Sequence, residues 1–133
     1  MIMDVSKKKI LIVEDDKDGL ALFEEILNDA GYDTVGAVDG TDALEKLEKE
    51  KFDLVLMDII MPNMDGITAI HRIKKNREKY GNAPVFMLTN IDSDITVEKA
   101  AQYGSKGYFV KSNLDPDQLV ETIRSTFNFV NIF

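Results

Sequence analysis

Five short apolar runs, each followed by a stretch of helical periodicity, leave this chain little choice of architecture. The strong runs are Ile10-Leu11-Ile12-Val13, Leu54-Val55-Leu56-Met57 and Pro84-Val85-Phe86-Met87-Leu88; Tyr108-Phe109-Val110 is shorter. Apolar residues at consecutive positions mean a strand covered on both faces. Thr34–Val38 is weaker, is interrupted by Gly36 and is expected near a sheet edge. Between the runs, Leu20, Phe23, Ile26, Leu27 and Ala30 recur at helical spacing, with Gly31 as a left-handed cap. Ala43, Leu44 and Leu47 mark a second helix. Ile67, Ile70 and Ile73 mark a third, whose last turn is expected to carry Lys74, Lys75 and Arg77. Ile95 to Ala101 suggests a fourth, ended by Gly104. The fifth begins at Asp115 as cap, with Pro116 at its first position and Gln118 placed for a capping box, before Leu119, Val120, Ile123 and Phe127. Alternation of this kind predicts an α/β fold, a doubly wound five-stranded parallel sheet with right-handed crossovers. The 133 residues are expected to form one domain, with its core over about 8–127 and an apolar tail over 128–133.

An open doubly wound sheet binds its ligand beyond the carboxyl ends of its strands, where the winding reverses. Glu14, Asp15, Asp58, Thr89 and Lys111 all directly follow predicted strands. Three carboxylates in one pocket resist ionising together unless a cation joins them. Glu14, Asp15 and Asp58 carry −3 and Lys111 +1, and one Mg²⁺ neutralises the remainder. Mg²⁺ takes oxygen ligands and commonly works with one or two carboxylates and a phosphate oxygen. Calcium is an alternative, but its usual loop signature is missing, and zinc is disfavoured by the absence of cysteine and a single histidine. A carboxylate beside a metal, a lysine and a threonine hydroxyl suits an aspartyl phosphate, and Asp58, closing the most hydrophobic central strand, is the expected nucleophile.

Composition narrows the partners. A net charge of −8 disfavours nucleic acid and anionic membranes. The absence of cysteine excludes disulfides and a thiol nucleophile. No apolar run approaches the roughly 20 residues of a membrane span, and the N-terminus lacks the regions of a signal peptide. A soluble cytoplasmic protein is expected.

Val13-Glu14-Asp15-Asp16, Leu54 to Gly66 with its Met61-Pro62-Asn63-Met64-Asp65-Gly66 turn, Pro84 to Thr89, and Gly107 to Lys111 together resemble the receiver domain of two-component response regulators. The resemblance runs from about Lys8 to Phe127 and implies a (βα)5 flavodoxin-like fold of strand order 2-1-3-4-5, of the stand-alone type. It implies Asp58 as phosphoacceptor, and Mg²⁺ bound by Asp15, Asp58 and the backbone carbonyl of Ile60, with Glu14 in support. Lys111 would hold the phosphoryl group. Thr89 would move toward it and Tyr108 would turn inward behind Thr89. The face of the fourth helix, fifth strand and fifth helix would change shape for a downstream protein target. The donor would be a phosphohistidine on a sensor histidine kinase or phosphotransfer protein. The chain would be no enzyme beyond self-phosphorylation and slow autodephosphorylation.

Two positions depart from the family pattern. Asn90 follows Thr89 where a small residue is usual. Ser112 follows Lys111 where a cis proline is usual; a cis bond before serine costs roughly 3–4 kcal/mol, so a trans bond and a shifted loop are expected. Ile60 and Ile91 are apolar where the family borders the attacking water, which predicts slow loss of phosphate.

Other features have plainer readings. Asp16, Asp18, Asp92 and Asp94 read as solvated surface, His71 as a solvated helix residue, and Phe127, Phe129, Val130, Ile132 and Phe133 as a tail packed on the domain. A receiver-like binding module that never takes phosphate is one rival, and the receiver part of a longer regulator is another. An aspartate-nucleophile phosphatase would need a second acid at Ile60, and in a flavin-binding fold Glu14-Asp15-Asp16 would repel the phosphate.

Overall fold

The computed structural model describes residues 7–90 and 94–132. Strands β1 (Lys9–Val13), β2 (Asp33–Ala37), β3 (Leu54–Asp58), β4 (Val85–Thr89) and β5 (Gly107–Val110) form one parallel sheet of order β2-β1-β3-β4-β5. Helices among the described residues are α1 (Lys17–Asp29), α2 (Gly40–Lys49), α3 (Gly66–Lys75), α4 (Arg77–Tyr80), α5 (Asp94–Gln102) and α6 (Pro116–Ile132). This is the expected order, with β2 at the edge. Val13 pairs with both Ala37 and Met57, so β1 lies between β2 and β3 and the winding reverses there.

Side-chain alternation builds two cores. Leu11, Val13, Val55, Met57, Val85 and Met87 point to the face covered by α2, α3, α4 and α5. Ile10, Ile12, Leu54, Leu56, Phe86 and Leu88 point to the other, against Phe23 and Leu27 of α1 and Leu119 and Ile123 of α6. Every residue of β3 and β4 is buried, as their continuous apolar sequences require. Gly36 interrupts β2 because α1 packs there: a Cβ would stand 2.8 Å from a methyl of Leu20. Asp115 Oδ1 accepts from Asp117 N at 2.9 Å, capping α6.

One element differs from the sequence reading. Arg77 does not close α3. Asn76 leaves helical geometry at φ −140°, ψ 70°, and its side chain accepts from Lys79 N at 3.3 Å to start the short helix α4. Four residues without an apolar period give no helical signal, so five β-then-α units were expected where a sixth helix intervenes.

Gly66 sits where the chain turns from β3 into α3. A Cβ there would overlap the Asp58 carbonyl and stand 2.8 Å from Met87 Cε and 3.0 Å from Ile59 Cα. Backbone atoms cannot yield as side chains do. Gly66→Ala is therefore expected to cost roughly 3 kcal/mol or more in urea unfolding, at the upper end of overpacking.

Candidate functional site

The carboxyl edge of the sheet gathers the acids. Glu14 follows β1 and extends its ladder, donating its N–H to Ala37 O at 2.9 Å; its side chain is 1% exposed. Asp15 is exposed beside it. Asp58 is the last residue of β3, opposite Leu88, and is 5% exposed. Carboxylate oxygens of Glu14, Asp15 and Asp58 lie within 4.8 Å of one another. Lys111 directly follows β5, and its Nζ donates to Asp58 Oδ2 at 2.8 Å and also touches Glu14 Oε1. Burial of the Lys111 ammonium pulls its pKa down. The hydrogen bonds and charges of Asp58 and Glu14 outweigh that, and the net shift is upward from 10.5.

Glu14 Oε2 accepts from Asp16 N at 3.3 Å. Glu14 Oε1 is buried and accepts no well-directed hydrogen bond, although the Lys111 ammonium touches it. One ammonium offsets only part of the charge of three clustered carboxylates. Three clustered oxygen donors of net negative charge fit a hard divalent cation such as Mg²⁺.

Thr89 ends β4, is 3% exposed and lies opposite Val110, one residue before Lys111. Tyr108 is turned outward and is 41% exposed. The Ile60 side chain projects into solvent at 65% exposure, two residues beyond Asp58. Asn90 is exposed, while Ile91 and Asp92 lie outside the described residues, as does the side chain of Asp94. No cis peptide bond occurs among the described residues, so Lys111–Ser112 is trans, as the missing proline predicts. The chain continues as a 3-10 turn, Lys111–Asn113, and Lys111 still reaches both acids.

A second layer holds the loop after Asp58, and sequence reading did not single it out. Asn63, at φ 65° the one non-glycine residue with positive φ among those described, donates its amide to Asp39 Oδ2 at 2.7 Å. Asp39 Oδ1 accepts from Asp42 N at 2.8 Å and so caps α2. Gly40 N donates to Met64 O at 3.1 Å, an approach a Cβ at Gly40 would obstruct, and Gly66 N donates to Ile59 O at 2.7 Å. The signal that could have found Asp39 is an aspartate directly before a helical period, a cap residue. Its bond to a side chain 24 residues away has no such signal. The Asn63 amide, first, and the Asp42 and Thr41 N–H groups hold the Asp39 carboxyl below its ordinary 3.8 against the effect of burial. Asp39 thus adds stability that is complete above that value and is lost as pH falls through its depressed folded pKa. Asp39→Ala is expected to cost about 1–2 kcal/mol in urea unfolding, the loss of a cap and a partner together.

Two plain readings need amendment. Asp16 is exposed but also caps α1, accepting from Gly19 N at 2.9 Å. His71 is half-buried, not fully solvated: its ring stacks on Tyr103 at 4.5 Å and 10°, tying α3 to the end of α5. Phe127 packs on Tyr32 at 5.6 Å, as expected for the tail's first aromatic. The side chains of Phe129, Val130, Ile132 and Phe133 lie outside the described residues. No helix among the described residues is long and apolar enough to cross a membrane.

The sheet order and the acidic edge define a receiver-type α/β fold, and solved structures agree. A CheY-like response regulator receiver domain protein from Methanospirillum hungatei JF-1 superposes with a TM-score of 0.84 at 31% identity, covering 92% of this chain and 95% of that one. The CheX-CheY-BeF3-Mg complex from Borrelia burgdorferi contains a chain that superposes at 0.82 with 29% identity, covering 90% and 89%. Among curated relatives, the alkaline phosphatase synthesis transcriptional regulatory protein PhoP of Bacillus subtilis is 37% identical over 65% of this chain and 35% of its own length. The CAI-1 autoinducer sensor kinase/phosphatase CqsS of Vibrio cholerae is 35% identical over 68% of this chain and 13% of its own. The match thus spans about a third of one relative and an eighth of the other. The family profile described as "Response regulator receiver domain" matches residues 10–124, and the chain belongs to that family.

Proposed function

We propose that this receiver domain is a phosphorylation-driven signalling switch with Asp58 as its acceptor. The observation that carries the reading is the Lys111 Nζ to Asp58 Oδ2 contact of 2.8 Å within a cluster of three carboxylates. Glu14, Asp15 and Asp58, with the backbone carbonyl of Ile60, would hold one Mg²⁺. Bound there, the cation supplies positive charge to the phosphoryl oxygens. An oxygen of Asp58 attacks phosphorus, the P–N bond of a phosphohistidine breaks, and its electron pair returns to the imidazole. Lys111 then exchanges Asp58 for a phosphoryl oxygen, and the Thr89 hydroxyl donates to another. Tyr108, outward in this structure, turns in behind Thr89 and reshapes the face made by α5, β5 and α6. One added group of about two negative charges biases a two-state element. The chain acts as acceptor, not as an enzyme on a separate substrate.

The phosphohistidine donor and a protein target are inferred from the family and from the signalling relatives, PhoP and CqsS. Asn90, exposed just beyond Thr89, is the feature that favours the rival reading, a module indifferent to phosphate. Beryllofluoride with Mg²⁺ separates the two. It is expected to shift the amide resonances of Thr89, Asn90, Tyr108, Val110 and Lys111; no change there would support the inert module.

Ile60 offers no polar atom from its side chain to orient an attacking water. The phosphorylated protein is therefore expected to decay over minutes or longer after donor removal. A half-life of seconds, read by intact mass, would refute that expectation.

A further inference from the structure

The opposite end of the sheet carries a feature that the acidic edge does not explain. A groove of about 1010 Å³ lies beside the N-terminal ends of β4 and β5, one strand length, roughly 15 Å, from Asp58. Pro84 and Phe86 give it an apolar side, Thr122 and Ser125 of α6 give it hydroxyls, and three cations reach it from three segments. Lys74 comes from the end of α3, Arg77 from the start of α4 and Lys106 from the turn before β5. In a chain of net charge −8, this is a concentration of the minority sign.

Ordinary causes account for only part of it. A cation at the end of α3 is favoured by the helix dipole, which suffices for Lys74. Arg77 stands on a single-turn helix, which gives it no such support. No carboxylate lies within 4.0 Å of the charged atoms of Lys74, Arg77 or Lys106 among the described residues, although Glu121 lines the groove. Lys74 is half-buried, and its stem packs under Gly104, where a Cβ would stand 2.9 Å from Lys74 Cε. Burial, and then the charges of Arg77 and Lys106, push the Lys74 pKa down. Lys74 is thus crowded by like charges, and none of the three cations has a carboxylate in ion-pair contact among the described residues.

We propose that this groove is a binding site for a small, multiply charged phosphate anion. Lys74, Arg77 and Lys106 meet its charge, the hydroxyls of Thr122 and Ser125 donate to its oxygens, and the Phe86 side has room for a base or other ring. Three cations converging from separate segments suit a compact anion better than an extended acidic peptide, and the volume is at the upper end of small-molecule sites. Glu121 and Thr122 also line the cavity around Tyr108, so occupancy would touch the face that the phosphorylation reading expects to move. The proposal does not depend on that reading.

The test is a two-dimensional amide titration of the unphosphorylated chain in EDTA at low salt, with ATP and inorganic tripolyphosphate as separate probes. Without Mg²⁺, the acidic notch repels all of the anions. Saturable shifts at residues 74–82, 104–107 and 121–126 are expected with ATP. The exposed-site double variant Arg77→Ala/Lys106→Ala should weaken binding at least tenfold while melting like the parent. Asp58→Asn should bind as the parent does, which keeps this outcome separate from the phosphoacceptor question. Equal binding of ATP and tripolyphosphate would identify an inorganic-type anion, and tighter binding of ATP a nucleotide-type one; either supports the site. No saturable shift at millimolar probe, or shifts undiminished in the double variant, would overturn it. So would a glutamate-rich peptide binding the groove where neither phosphate probe does.

Discussion

Asp58→Asn is expected to abolish phosphorylation by acetyl phosphate and by a phosphohistidine donor, while the protein stays folded. An amide oxygen is too weak a nucleophile to form the acyl phosphate. The fold should tolerate the change because the substitution removes one charge from a group of like charges. Lys111 keeps Glu14 as its partner, and the mutual repulsion of Glu14, Asp15 and Asp58 falls. Metal-free stability should stay within about 1 kcal/mol of the parent, the range of an approximately balanced charge exchange. Mg²⁺ affinity should drop, because one of three oxygen donors loses its charge. A variant that still gained a phosphoryl group would show that another side chain accepts it.

Lys111→Met is expected to have the second largest effect, and to separate stability from chemistry. The side chains of Glu14 and Asp58 are 1% and 8% exposed, and the Lys111 ammonium sits between them. Removing it leaves buried like charges facing each other, which costs roughly 3–5 kcal/mol in the absence of metal. Added Mg²⁺ should restore part of that loss in the variant. Phosphorylation should remain slow even at saturating Mg²⁺, by about 10²–10³, the scale of one lost charge-stabilising donor. The alkaline limb gives an independent reading. The folded pKa of Lys111 lies above 10.5, so its contribution to stability is complete below the unfolded value of about 10.4 and is lost as pH rises through the folded one. The parent should lose that stability at high pH, and Lys111→Met should lack this component of the decline.

The sheet was legible because its chemistry is local. Ile10–Val13 and Leu54–Met57 are apolar at every position, which only a strand covered on both sides accommodates. Gly31 and Gly104 stand at the φ values, 100° and 104°, that their places after helices demand. Asp115 and Pro116 marked the start of α6 to the residue. Helix α4 escaped notice because it is one turn made by an asparagine cap and has no apolar face of its own. The acidic edge was also legible, since Glu14, Asp58, Thr89 and Lys111 each stand at a strand's end and a parallel sheet aligns those ends.

What escaped notice depends on contacts between distant segments. Asp39 and Asn63 form one clamp across 24 residues, and nothing local to either residue names the other. His71 read as solvated because its neighbours Arg72, Lys74 and Lys75 are charged, yet its ring is covered by Tyr103 of another element. The switching roles proposed for Thr89 and Tyr108 rest on the family resemblance, because a β-forming threonine and an edge tyrosine are unremarkable by themselves. Ser112 in place of proline leaves Lys111 within reach of the acids: with a trans bond and a 3-10 turn, the ammonium lies 2.8 Å from Asp58.

The central claim is that Asp58, at the floor of an acidic notch that takes a divalent cation, accepts phosphorus. Intact mass after incubation with acetyl phosphate, once with Mg²⁺ and once with EDTA, tests it most directly. One added phosphoryl group with Mg²⁺, and none with EDTA, is the predicted result. An unchanged mass in both, or equal addition in both, would contradict it.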